Sequence, residues 1–293
     1  MRHWQKRYYR WLARLVWPAR TSLSLQGSPA DPALQALASG QDITEPVVII
    51  SAHPDDETIG VGARLRRLKN LTLIHVTNGA PDRPGANLAG FPNPASYSAA
   101  RFRELEHALD LLEAQPVQRR LLGFVDGNTV HALDRLVDIL TGELRGKAVV
   151  MTHAYEGGHP DHDSCAFAVQ RACERLLSAG EIAPVRVEHT GYHSYKGEQR
   201  TGTFWAGERT SIARIRLNDW ERNAKAAAFR AFTSQGWLPT VFRVDREIYR
   251  AAPRYDFTQP PAPGAWLYDT FGWEMKGQTW LVCARAATQR LRD

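Results

Sequence analysis

The chain has 293 residues, of which 43% are hydrophobic and 23% charged, and a formal net charge of +6. This is the composition of a folded globular protein; it excludes wholesale disorder and collagen-like or coiled-coil architectures, and it supplies enough apolar material for a large core. No stretch reaches the roughly 18–20 uninterrupted apolar residues that a membrane-spanning helix needs.

The basic surplus is local. Residues 1–30 hold Arg2, Lys6, Arg7, Arg10, Arg14 and Arg20 with no acidic residue, so the remainder of the chain is formally neutral. A polynucleotide enzyme carries its cations around its cleft, so no nucleic-acid partner is expected. Wound as a helix, the segment puts Trp4, Tyr8, Trp11, Leu12, Leu15 and Val16 on one side and the basic residues on the other. Residues 1–22 therefore read as a basic amphipathic segment that either lies peripherally on an anionic membrane surface or packs on the domain or a partner subunit. Arg10 and Arg14 interrupt the apolar run that a secretory signal requires. The three cysteines, Cys165, Cys173 and Cys283, form no C-x-x-C pair, which fits a reducing, cytoplasmic location.

Residues 23–45, rich in Ser, Ala, Gly and Asp, read as a linker, and residues 46–293 as the domain proper. The apolar patterns then alternate: strand over 47–51, helix over 57–68, strand over 71–77, helix over 96–113, strand over 120–125, helix over 130–144, strand over 148–152, helix over 164–178 and strand over 185–190. This order predicts an α/β, Rossmann-like fold with a mostly parallel sheet and helices on both faces. Ligands bind such sheets beyond the carboxyl ends of the strands. After Tyr192 the pattern loosens to a short strand over 214–217, a helix over 218–234 and a strand over 278–284. Pro253, Pro260, Pro261, Pro263 and Gly264 interrupt it, as expected of an irregular, substrate-facing C-terminal elaboration.

The chemistry concentrates at two strand ends. The first strand runs into Ala52-His53-Pro54-Asp55-Asp56-Glu57, and the fourth long strand leads to His159-Pro160-Asp161-His162. So many ionisable groups at a buried sheet edge repel one another and lose hydration unless a cation offsets the cost. His53, Asp56 and His162 make a two-imidazole, one-carboxylate set that suits zinc and leaves a fourth position for water, whose proton a neighbouring carboxylate can take. Glu57 is expected to open the following helix. His75, His107 and His131 read as core residues, while His153, His189 and His193 lie near strand ends, placed to line the pocket but without ligand spacing.

With these two motifs the chain resembles the PIG-L/LmbE family of N-acetylglucosaminyl deacetylases, whose hallmarks are A-H-P-D-D-E and H-P-D-H. Thr77-Asn78-Gly79, Arg101-x-x-Glu104-Leu105, Asp126-Gly127 and Thr152-His153-x-x-x-Gly157-Gly158 extend the likeness over residues 46–195. The resemblance implies an enzyme with one Zn2+ per chain held by His53, Asp56 and His162, other divalent transition metals also being compatible. It implies Asp55 as general base, His159 as oxyanion stabiliser or amine-protonating acid held by Asp161, and Arg101 as a substrate contact. The substrate it implies is a small N-acetylated amino sugar or its conjugate. Thr58-Ile59-Gly60-Val61-Gly62 departs from the family pattern after the glutamate without touching the ligands. Two rival readings remain: a hydrolase of another amide or carbamoyl-like bond on the same scaffold, and a non-catalytic sugar-binding member. No G-x-S-x-G elbow supports a serine hydrolase, and no G-x-G-x-x-G follows the first strand to support a nicotinamide enzyme. Trp205, Trp237, Trp266 and Trp273 are candidates for stacking on sugar faces.

Overall fold

The computed structural model describes residues 21–82, 85–205, 209–261 and 265–291. The amphipathic reading of residues 1–22 therefore lies almost entirely outside the described residues. The described chain runs β1 (Ser22–Ser24), α1 (Asp31–Ser39), β2 (Ile43–Ser51), α2 (Asp56–Val61), β3 (Leu68–Pro81), α3 (Pro94–Leu111), β4 (Gln118–Asp126), α4 (Leu133–Leu144), β5 (Val149–His153) and α5 (Pro160–Ser178). It continues with β6 (Val185–His189), β7 (Tyr192–Tyr195), β8 (Glu198–Thr201), β9 (Ile212–Arg216), α6 (Asp219–Ala231), α7 (Leu238–Val241), β10 (Arg246–Ala251) and α8 (Gly277–Arg290).

Among the described residues, eight strands form one sheet in the order β1-β9-β10-β6-β5-β2-β3-β4. β6, β5, β2, β3 and β4 are parallel, whereas β10, β9 and β1 extend the β6 edge in antiparallel pairing. Successive residues of β2 point to opposite faces. Val47 and Ile49 join Leu34, Leu37, Leu105, Leu109 and Phe229 in one core, and Val48 and Ile50 join Leu136, Leu140, Phe167 and Trp280 in the other. Helices α1, α3 and α6 thus cover one face and α4, α5 and α8 the other. A strand buried on both sides has no polar face to show, which is why Val47–Ile50 reads as an unbroken apolar run. The expected α/β architecture is the one observed.

Two expectations about elements are corrected, and one strand is added. Residues 23–45 are not a linker: α1 buries Leu34 and Leu37, β1 pairs with β9, and β2 already begins at Ile43. The Ala-rich sequence of α1 presents only a short apolar stripe, which the composition of the segment masks. Residues 278–284 are helix, not strand: Trp280, Leu281, Ala284 and Ala287 are buried at helical spacing, a periodicity hidden within the short run Trp280-Leu281-Val282-Cys283. The strand β10 is absent from the sequence reading because Glu247 and Arg250 occupy buried positions in it. Lys225 Nζ donates to Glu247 Oε1 over 2.5 Å and Arg250 Nε to Glu188 Oε2 over 2.7 Å, which satisfies the charges inside the fold. The C-terminal third is thus in part a continuation of the sheet, and its connecting segments form the wall facing the strand ends.

Candidate active site

The loop leaving β2 is folded by its own polar groups. The backbone N–H of His53 donates to Asp56 Oδ2 over 2.8 Å, and that of Asp55 to Glu57 Oε2 over 3.2 Å. Asp55 caps α2 with φ 145°, a conformation L-residues rarely adopt and one that costs on the order of 1–3 kcal/mol. The strained turn separates the two adjacent aspartates, so that Asp55 faces Arg101 while Asp56 faces the histidines. Glu57 opens α2 as expected but is fully buried, where it meets His75 Nε2 at 3.0 Å.

The second loop is built by the start of α5. His159 caps this helix, its Nδ1 accepting the backbone N–H of Asp161 over 3.2 Å, and Pro160 occupies the first turn. A neutral His159 so bonded carries its proton on Nε2. Asp161 and Asp163 lie in the same turn, where the helix dipole favours carboxylates. Buried Asp161 accepts the N–H groups of Gly127 (2.6 Å) and Thr129 (3.2 Å), tying α5 to the end of β4.

These elements bring His53, Asp55, Asp56, Arg101, His159, Asp161 and His162 together at one sheet edge, all buried. Asp56 lies between two imidazoles: Oδ2 is 3.2 Å from His53 Nδ1 and Oδ1 is 3.2 Å from His162 Nε2. The partnership proposed between Asp161 and His159 runs through the Asp161 backbone N–H, while the side chain serves a different ring. The Asp161 carboxylate lies 3.9 Å from His159 Nδ1 but 3.1 Å from His53 Nε2, so it orients His53. Arg101 donates from Nη2 to Asp55 Oδ2 (2.8 Å) and to Pro54 O (3.0 Å), and from Nη1 to Gly79 O (2.6 Å). Its guanidinium is committed chiefly to holding Asp55 and the loop. Gly79 at φ +65° permits this, since a Cβ there would come within 2.9 Å of Arg101 Nη1.

Two residues of the site have no assigned role in the sequence reading. Asp126 stands 3.4 Å from His53 Nε2 and 3.9 Å from Arg101 Nη1. Its position at the end of a predicted strand, beside Gly127, was the available signal. His153 stacks on His162 with ring centroids 3.9 Å apart, and its Nε2 accepts the N–H of Ala52 over 3.0 Å.

Burial works against every charge here, and the neighbours decide the outcome. Burial raises the Asp55 carboxyl, Arg101 opposes it and Asp56 adds to it, leaving the pKa at about 8. Burial also acts to raise Asp56, but His162 and His153 hold it well below the usual carboxylate range. His53 is raised well above the ordinary imidazole value: Asp126, Asp161 and Asp56 overcome its desolvation. His159 is pushed down to about 3, by burial first and by His53 next, so it stays neutral.

Among the described residues, His53, His159 and His162, and likewise Asp56, His153 and His162, bring ligand atoms within 4.8 Å of one another, so the cluster could hold a divalent metal; the expected trio His53, Asp56 and His162 is not one of these sets. His162 Nε2 is buried and, among the described residues, makes no hydrogen bond of acceptable geometry, although it faces the ionised Asp56 at 3.2 Å. His53, with Nδ1 toward Asp56, turns Nε2 to Asp161, the carboxylate–histidine arrangement that orients a ligating imidazole. His153 fits less well, because its Nε2 lone pair is already engaged by Ala52.

The constellation floors a cavity of about 540 Å³, walled by Ile59, Tyr192, Gln199, Val241 and the aromatic residues Trp237, Phe271 and Trp273. Of the four candidate tryptophans, Trp237 and Trp273 reach it. Trp205 instead packs on His193 and Tyr195, and Trp266 on Gly277.

An α/β sheet with a buried His/Asp cluster beyond its parallel strand ends defines a Rossmann-like scaffold with a metal-type site. Residues 48–173 match the model of the PIG-L family, described as GlcNAc-PI de-N-acetylase. The chain is 30% identical over 139 residues to "Probable N-acetyl-alpha-D-glucosaminyl L-malate deacetylase 2" of Bacillus subtilis (strain 168), covering 45% of this chain and 62% of that protein. Its counterpart in Bacillus cereus is 26% identical, with 44% and 61% covered. The chain thus spans less than two thirds of the length of these curated relatives. Among solved structures, a zinc inhibited form of teicoplanin deacetylase superposes with a TM-score of 0.53 at 18% identity, covering 72% of this chain and 99% of that one. The A40926 pseudoaglycone deacetylase superposes with a TM-score of 0.53 at 19% identity, with 73% and 99% covered. At these identities the structural likeness establishes the fold.

Proposed function

We propose that this protein is a zinc-dependent hydrolase that removes the N-acetyl group of an amino sugar or amino-sugar conjugate. The observation that carries the proposal is the division of labour between adjacent aspartates: Asp56 lies 3.2 Å from both His53 Nδ1 and His162 Nε2, while Asp55 is turned away to Arg101. The PIG-L family match and the names of the relatives support the substrate class.

Zinc held by His53, Asp56 and His162 would supply Lewis acidity toward the amide carbonyl and lower the pKa of water. Asp55, with a pKa of about 8, is suited to accept a proton as water adds to the carbonyl carbon and to return it to the departing amine. Arg101 keeps that carboxylate in one orientation. His159, neutral and protonated on Nε2, donates a hydrogen bond to the oxyanion and does not serve as a cationic acid. The aromatic wall offers apolar faces to the substrate.

Acetate release from a panel of N-acylated amino sugars and amino acids by the zinc-loaded protein, with Asp55→Asn as control, tests the proposal. Release from amino sugars alone supports it. Hydrolysis confined to non-acetyl amides or carbamoyl compounds would support the rival reading.

A further inference from the structure

Trp237 is 42% exposed at the cavity mouth, yet its ring is not free to turn. Its only polar atom, Nε1, donates to Gln235 Oε1 over 2.9 Å, and Gln235 is itself buried with its amide nitrogen donating to Tyr97 Oη. Tyr97 in turn lies with its ring 5.9 Å from the Arg101 guanidinium carbon, and Arg101 holds Asp55. The indole is therefore fixed relative to the proposed general base through three side chains. On the cavity wall are also Phe271, 37% exposed, and Trp273, whose rings pack 4.9 Å apart. Keeping such large apolar faces open to solvent and rigid loses burial energy, and a preorganised aromatic surface recovers it only when a flat apolar partner covers it.

We propose that Trp237 is the stacking platform for the part of the substrate beyond the acylated sugar, an uncharged group with a flat apolar face, either a second pyranose or an aryl aglycone. Gln235 is its positioning residue. The inference rests on the amino-sugar reading of the cavity floor, and its test is read as binding so that it does not depend on turnover.

Calorimetric titration of the zinc-loaded full chain carrying Asp55→Asn, with N-acetylglucosamine, N,N′-diacetylchitobiose and a phenyl glycoside of N-acetylglucosamine, provides that test. At least one extended ligand is expected to bind about tenfold more tightly than the monosaccharide, and which one does so separates pyranose from aryl. Adding Trp237→Ala is expected to bring that ratio close to one, while Trp237→Phe, which keeps a ring, retains part of it. Thermal melting of each variant confirms folding. Equal binding of all three ligands, absence of binding by all three, or a preference that survives Trp237→Ala would overturn the platform. A Trp237-dependent preference in a protein whose wild type releases no acetate would leave the platform standing and remove the deacetylase reading.

Discussion

The carboxylate of Asp161 binds the ring of His53, 3.1 Å away, and not that of its helix neighbour His159. If His53 holds the zinc proposed above, Asp161 orients a metal ligand. Asp161→Asn is expected to weaken zinc retention about 10- to 100-fold, as loss of a partner behind a ligating histidine does, while excess zinc restores much of the activity. Zinc affinity measured by competition with a chelator checks this. Unchanged affinity with lost activity would return Asp161 to the role of holding His159.

The adjacent aspartates should fail differently. Asp55→Asn removes a basic site and is expected to slow turnover about 10²- to 10⁴-fold with zinc still bound. Asp56→Asn removes an anionic group lying between two imidazoles and should lower zinc content itself, with partial rescue by added zinc. Elemental analysis alongside single-turnover kinetics distinguishes the two. Near-normal turnover by zinc-loaded Asp55→Asn would make another group the base.

Arg101 lowers the pKa of Asp55 against the effect of burial. A base must be deprotonated to act, so activity rises with pH through the Asp55 titration. Arg101→Met removes the opposing charge, leaves the effect of burial, and should therefore move the acidic limb of the kcat/KM profile to higher pH. A variant with reduced activity but an unshifted limb would show that Arg101 contacts substrate and does not tune the base.

Residues 1–20 and residues 21–42 should behave as separate units. We propose that the first carries the basic surplus to an anionic membrane surface, so a chain beginning at Thr21 should keep its turnover and lose binding to anionic vesicles. A chain beginning at Ile43 loses Leu34 and Leu37, both buried in the core. Deleting such groups costs about 2–5 kcal/mol each, so it should fold poorly. Thermal melting and vesicle sedimentation of the two truncations check these outcomes.

Much of the candidate site's make-up was legible from the chain itself because its residues arrive in two short runs. Ala52–Glu57 and His159–His162 each follow an apolar strand, and a parallel sheet delivers all such ends to one edge. The alternation of apolar runs also determined the α/β class, since strands buried on both faces must be continuously apolar. Local pattern failed where tertiary partners supplied what the segment lacked. The charges of β10 are satisfied by Lys225 and Glu188, far away in sequence, and the few apolar residues of α1 matter only because a sheet face receives them. Pairing among the site's own groups was likewise invisible. A one-dimensional order places Asp161 two residues from His159, but the helix turns its carboxylate to His53, and the strained turn at Asp55 sends two neighbouring aspartates to opposite partners. Which residue types gather at the sheet edge was set by the sequence; which atom faces which was decided by helix phase, backbone strain and the packing of distant strands.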